Sequence, residues 1–272
     1  MMQVFVSSQD VKTEQAKWID ARFALSDDQY GSKAYDESHI EGAIHWDLAN
    51  DLSDASIEGG RHMLPSKERL TELFRTSGLE LEDFILIYDD GGSPFATRAW
   101  WILHYAGFKN VYVVLEGMKE LQALGFATMN DKPQPVATHV EPQWQDEIYA
   151  TREDVAEVVA GDREAVLVDA RAAIRYRGEH EPLDKRAGHI PTARNFDWEQ
   201  LKADKTYDVK QASDALTKLV QKKDDVIVYC GSGVSATPLF AALKELNYPN
   251  VRLYVGSFSD WISHDDAPIE TL

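Results

Sequence analysis

The sequence predicts an α/β fold of two tandem domains, each a parallel sheet flanked by helices. Three observations predict it. The chain repeats itself once with a long period. Each copy alternates short β-branched runs with amphipathic stretches. Its 272 residues also suffice for two ordinary domains. Trp18-Ile19-Asp20-Ala21-Arg22 returns as Leu167-Val168-Asp169-Ala170-Arg171, 149 positions later at the aspartate. His39-Ile40-Glu41-Gly42-Ala43 returns as His189-Ile190-Pro191-Thr192-Ala193, 150 positions later. Ile85-Leu86-Ile87-Tyr88-Asp89 returns as Val226-Ile227-Val228-Tyr229-Cys230, 141 positions later. Val111 to Gly117 matches Val251 to Gly256, with the two final glycines paired.

Taken in order, the first copy offers a helix over Lys67 to Ser77 and a buried strand over Ile85 to Tyr88. Gly78, Gly107 and Gly125 stand where helices should stop. Pro133, Pro135 and Pro142 mark residues 131–148 as an extended linker between a domain over 1–130 and one over 149–272. The second copy offers strands at Ala165 to Val168 and Val226 to Tyr229, and helices at Ser213 to Gln221 and Pro238 to Leu246. The Gly59-Gly60 pair marks a loop.

Composition narrows the function. With 44% hydrophobic residues the chain can bury a core, yet no apolar stretch approaches the about 20 residues of a membrane span. Met1 to Asp10 lacks a basic region followed by an apolar core, so no secretory signal is read there. The single cysteine excludes an internal disulfide and fits a reducing, cytoplasmic setting. A formal net charge of −18 argues against nucleic acid as a partner and makes any local arginine cluster informative. Neither zinc-ligand spacing nor a Gly-rich phosphate loop of the nucleotide type is present.

The chemistry converges on Cys230. It ends an apolar strand and opens Cys230-Gly231-Ser232-Gly233-Val234-Ser235-Ala236, after which a helix begins near Pro238. Ligands in parallel sheets bind outside such strand ends. The thiolate is the nucleophilic form of cysteine, and a helix N-terminus favours it. Positive φ at Gly231 and Gly233 would turn the loop's N–H groups inward as an anion nest. A buried structural cysteine with glycines serving only the turn is the alternative, and spacing alone leaves both open. A phosphatase loop would need an arginine at position 236, where the sequence has Ala236.

The loop resembles the Cys-Gly-Ser-Gly-Val-Thr-Ala loop of tandem rhodanese-type sulfurtransferases, in particular the 3-mercaptopyruvate branch and related bacterial thiosulfate enzymes. Asp20 and Asp169 in their Asp-Ala-Arg boxes, His62-Met63-Leu64-Pro65, Arg98-Ala99-Trp100-Trp101 and Gly188-His189-Ile190-Pro191 extend the resemblance over nearly the whole chain. It implies two rhodanese-like domains, the second catalytic and the first inactive because Asp89 stands at the cysteine position. It implies sulfane-sulfur transfer from thiosulfate or 3-mercaptopyruvate through a Cys230 persulfide to cyanide, a thiol or a thioredoxin-like acceptor, with no metal or organic cofactor; the two-domain arrangement lets a monomer suffice.

By the same resemblance Cys230, Ser232 and His62 are the catalytic residues. The N–H groups of Gly231, Gly233, Val234, Ser235 and Ala236 line the anion cradle, and Arg175 grips the donor. The family's second substrate arginine has no match near Pro182 and Leu183; Lys185 or Arg186 is the candidate replacement. Asp47 and Asp51 flank the place of the acid that would orient His62. His39 and His189 recur in both copies and are expected to be structural. The same holds for the ion pairs of Asp20 with Arg22 and Asp169 with Arg171. Arg98 is expected to be mainly structural, and Trp100, Trp101 and Trp261 to pack in the core or domain interface. The missing arginine also motivates a second reading, a persulfide carrier or redox-sensing binding protein with little turnover.

Overall fold

The computed structural model of the chain describes residues 2–272. Each half holds a five-stranded parallel sheet of the same strand order. In the first half the order is Phe5–Val6, Val111–Val114, Ile85–Tyr88, Lys17–Asp20, Ile44–His45. In the second it is Tyr149–Ala150, Val251–Tyr254, Val226–Tyr229, Val166–Asp169, Arg194–Asn195. The central strands are buried on both faces, which is why Ile85–Tyr88 and Val226–Tyr229 are continuous apolar runs instead of alternating ones.

The predicted helices form with small shifts of their ends, as Lys67–Thr76, Val209–Leu219 and Thr237–Glu245. Val209–Leu219 begins four residues before the expected Ser213, because Asp208 accepts a hydrogen bond from Gln211 N and caps it. Gly78, Gly107 and Gly125 each take positive φ just past a helix end. Residues 130–145 carry no helix or strand, and Thr138 N, Gln143 N and Gln145 N donate to carbonyls of Arg75, Ala106 and Tyr105. The connector is thus laid along the first half.

The repeat holds at the level of hydrogen bonds. Asp20 binds Arg22 through both carboxylate oxygens, and Tyr88 O–H donates to Asp20 Oδ2 at 2.7 Å. Asp169 and Arg171 make the equivalent pair, beside Tyr229 on the neighbouring strand. His39 and His189 each place Nδ1 2.7 Å from a tyrosine carbonyl, of Tyr35 and Tyr176, and stack on that tyrosine's ring. One pairing needs correction. Met118 N donates to Asp89 O as Phe258 N donates to Cys230 O, so Gly117 corresponds to Ser257 and not to Gly256.

One hydrophobic cluster runs through both halves. Helix Pro94–Tyr105 meets helix Thr237–Glu245, with Trp100 and Trp101 of the first against Phe240 of the second. Trp261 packs in a separate cluster beside Phe258. Thr97 and Thr237 share a hydrogen bond of 2.8 Å where those two helices cross. Both helices start at the loops that follow Asp89 and Cys230, so the packing holds those loops at fixed positions. Among the described residues no helix is long and apolar enough to cross a membrane.

Candidate active site

Strand Val226–Tyr229 delivers Cys230 to the end of the sheet, and the thiol is 1% exposed. Gly233 N donates to Cys230 Sγ at 3.2 Å. Gly233 is fixed twice: its φ is +75°, and a Cβ there would lie 2.0 Å from Val255 O. Gly231 does not take positive φ, contrary to expectation. Its missing side chain is needed for close approach instead, because a Cβ would lie 2.9 Å from Arg61 Nη2 and 3.4 Å from Arg175 Nη2. Val234 and Ala236 are buried, and Ser235 half-buried, along the turn into helix Thr237–Glu245.

The neighbouring strand end completes the loop's seat. Ser257 Oγ accepts from Cys230 N at 3.0 Å and donates to Tyr254 O at 2.9 Å, lying 4.0 Å from Cys230 Sγ. Ser257 holds φ +56°, a conformation costly for a residue with a Cβ. Phe258 N and Ser259 N donate to the carbonyls of Cys230 and Gly231. Nothing in the local sequence marks Ser257; its place beside the thiol follows from the pairing of two strands.

Three groups arrive from the first half. The segment Gly59-Gly60-Arg61-His62 crosses over and lies against residues 256–260. A Cβ at Gly60 would stand 2.5 Å from Gly256 O, and Arg61 N donates to Ser259 Oγ at 3.1 Å. His62 Nδ1 thereby comes 2.8 Å from Ser232 Oγ. Burial, with the positive charges of Arg98 and Arg61, pushes His62 down to about 4. Arg98, from helix Pro94–Tyr105, is fully buried and donates to the carbonyls of Gly233, Leu52 and His62 at 3.0–3.1 Å. Its Nε has no partner, and burial lowers the guanidinium to about 10 while Cys230 acts in the opposite direction. Arg98 therefore ties the loop of Cys230 to the segment of His62, a position its sequence context did not reveal.

Arg175 lies beside the loop as expected, but it is not free. Its Nε and Nη2 bind Glu181 at 3.0 and 2.7 Å, and Nη2 binds Asp184 Oδ2 at 3.0 Å. Asp184 also pairs with Arg61. The second guanidinium at the loop is thus Arg61, from the other half. Arg186 donates instead to Ala267 O at 2.8 Å, and Lys185 is exposed. Asp47 and Asp51 are also occupied elsewhere: Asp47 accepts from Ala49 N and Asn50 N, and Asp51 from Asp47 N.

Asp89 shows what the same seat does without a thiol. The carboxylate accepts from Gly91 N at 2.8 Å and Ala96 N at 3.0 Å. Burial nevertheless pushes it up to about 7. The loop of the first half is filled by its own side chain.

A cysteine loop on one of two equivalent α/β domains, walled by arginines and a histidine of its partner domain, defines a tandem rhodanese-type protein. The Rhodanese-like domain family matches residues 7–124 and 151–264. The chain belongs to the rhodanese family, among its tandem-domain sulfurtransferases. A Pseudomonas aeruginosa protein named "Probable 3-mercaptopyruvate sulfurtransferase" is 37% identical over 262 residues, covering 93% of this chain and 91% of its own. The structure of SseA from Escherichia coli, described as a 3-mercaptopyruvate sulfotransferase, superposes with TM-score 0.82 at 28% identity. It covers 95% of this chain and 100% of its own. A structure described as a probable thiosulfate sulfurtransferase gives TM-score 0.67 at 27% identity, covering 94% and 98%.

Proposed function

We propose that the protein moves a sulfane sulfur from a small anionic donor, thiosulfate or 3-mercaptopyruvate, through a Cys230 persulfide to a thiophilic acceptor such as cyanide, a small thiol or a thioredoxin-like protein. The observation that carries this reading is the approach of two guanidinia, Arg61 and Arg175, to within 3.5 Å of the Cβ position of Gly231, next to the only cysteine. A guanidinium pair suits a carboxylate and a sulfonate-like group equally.

With thiosulfate, the Cys230 thiolate attacks the outer sulfur, the S–S bond breaks with its electron pair leaving on sulfite, and Cys230 keeps the persulfide. With 3-mercaptopyruvate, the thiolate attacks the thiol sulfur and the C–S bond breaks. Its electron pair passes to the enolate of pyruvate, and the former thiol proton ends on the new methyl carbon. In this reading Ser232 and His62 hold the enolate oxygen and relay that proton. Cyanide then takes the outer sulfur as thiocyanate and returns the thiolate. The N–H of Gly233, already on Cys230 Sγ, supports the sulfur anion in either state.

Mixing the protein with either donor and cyanide, and following thiocyanate, tests the reading. Turnover with at least one donor is expected. Arg61→Ala and Arg175→Ala should each lower kcat/KM about ten- to a hundredfold, the worth of one hydrogen bond to a charged group. Absence of turnover with both donors, or full turnover by Cys230→Ala, contradicts it.

A further inference from the structure

Six charged side chains form one line past the active loop. Asp169 binds Arg171, Arg171 and Arg175 share Glu181, and Arg175 and Arg61 share Asp184. The formal charges cancel, three carboxylates against three guanidinia. Glu181 and Asp184 are buried, their side chains 3% and 2% exposed. Of the three carboxylates, Asp184 bridges the domains, with Oδ1 on Arg61 and Oδ2 on Arg175.

That bridge has the geometry a donor's anionic end would adopt, one oxygen on each guanidinium beside Gly231. An incoming anion therefore does not meet a bare pair of positive charges. It gains only the difference between its own charge-assisted hydrogen bonds and those that Asp184 gives up. The bridge itself is not a deep well. Burial holds the Asp184 carboxyl above the usual carboxylate range, although Arg61 and Arg175 both pull it down. Asp184 also stands in the segment where no second arginine was found, so the chain presents a negative charge there.

Resting on the reading that Cys230 takes sulfur from an anionic donor, we propose that Asp184 is a specificity-determining residue. It is a resident counter-anion that orders the Arg61–Arg175 clamp at rest and that the donor's anionic end must displace. The carboxylate thereby sets how weakly small free anions are held at Cys230.

The test is protection of Cys230 from iodoacetamide, an uncharged reagent, by sulfate at constant ionic strength, in wild type, Asp184→Asn and Asp184→Ser. Sulfate cannot donate sulfur, so this readout stands whether or not the protein turns over either donor. The proposal expects half-protection at about tenfold lower sulfate in both variants. It also expects a lowered KM for thiosulfate. Equal or poorer protection in a folded variant, no protection in any of the three, or loss of folding in both variants overturns it. Turnover by wild type without a sulfate shift in the variants removes the role of Asp184 and leaves the sulfurtransferase reading standing.

Discussion

His62 Nδ1 lies 2.8 Å from Ser232 Oγ, one residue from each domain. Burial and the charges of Arg98 and Arg61 push this histidine down from 6.5 to about 4, so the imidazole is neutral at pH 7. A neutral ring accepts from the serine hydroxyl or passes its proton; it does not act as a resident imidazolium. Turnover of 3-mercaptopyruvate that depends on His62 should therefore persist through the range where an ordinary histidine titrates and fall only near pH 4. The kcat/KM profiles of wild type and His62→Asn check this, and an acid limb at 6.5 contradicts it. The same shift has a stability consequence. The unfolded state takes up a proton first, so stability falls as pH drops from 6.5 towards 4.

The two loop glycines should separate under mutation. Gly233→Ala sets a Cβ 2.0 Å from a backbone oxygen at a positive φ, so the loop itself must move. Activity should be lost, with a stability cost of about 1–3 kcal/mol. Gly231→Ala meets guanidinium ends 2.9 Å and more away, which can swing aside. Its melting temperature should be near wild type while KM for an anionic donor rises. Thermal melts and kcat/KM on both variants make the comparison; equal melting temperatures would contradict it.

Asp89 gives a pH signature to the first domain. Its folded carboxyl is held up to about 7 against 3.8 for the free group, so stability is lost as pH rises from 3.8 through 7. Asp89→Asn cannot ionise; it keeps one of the two acceptor oxygens and sets an NH2 against the N–H of either Gly91 or Ala96, a cost that does not change with pH. Its stability relative to wild type should improve by about 1–4 kcal/mol between pH 4 and pH 8, one pKa unit being about 1.36 kcal/mol. Denaturant unfolding at the two pH values measures this, and a pH-independent difference contradicts it.

That Cys230, Ser232, His62 and Arg175 gather at one candidate site was legible because each lies in a short motif that resembles the tandem sulfurtransferases. The sheets were legible because both copies show buried apolar runs at matching spacing. Arg61, Arg98, Ser257 and Asp184 were not. Arg98 sits in an apolar helix, and only the crossing of that helix with Thr237–Glu245 brings it to Gly233 O. Arg61 and Asp184 are 123 positions apart and meet only when the domains dock. The positive φ assigned to both loop glycines fell on Gly233 alone, because Gly231 is set by what lies above it rather than by the turn. The pairing of Gly117 with Gly256 slipped by one residue; the backbone hydrogen bonds, unlike the glycine pattern, match it to Ser257.

The proposed function stands on Cys230 carrying the transferred sulfur. Intact-mass spectrometry after brief exposure to thiosulfate or 3-mercaptopyruvate without acceptor tests it most directly. A gain of one sulfur atom on Cys230 is expected, lost on adding cyanide with matching release of thiocyanate and absent in Cys230→Ser. If the adduct forms and passes only to a protein partner, a carrier role displaces turnover with small acceptors. Thiocyanate release without any sulfur adduct on Cys230, or an unchanged adduct in Cys230→Ser, would contradict the claim.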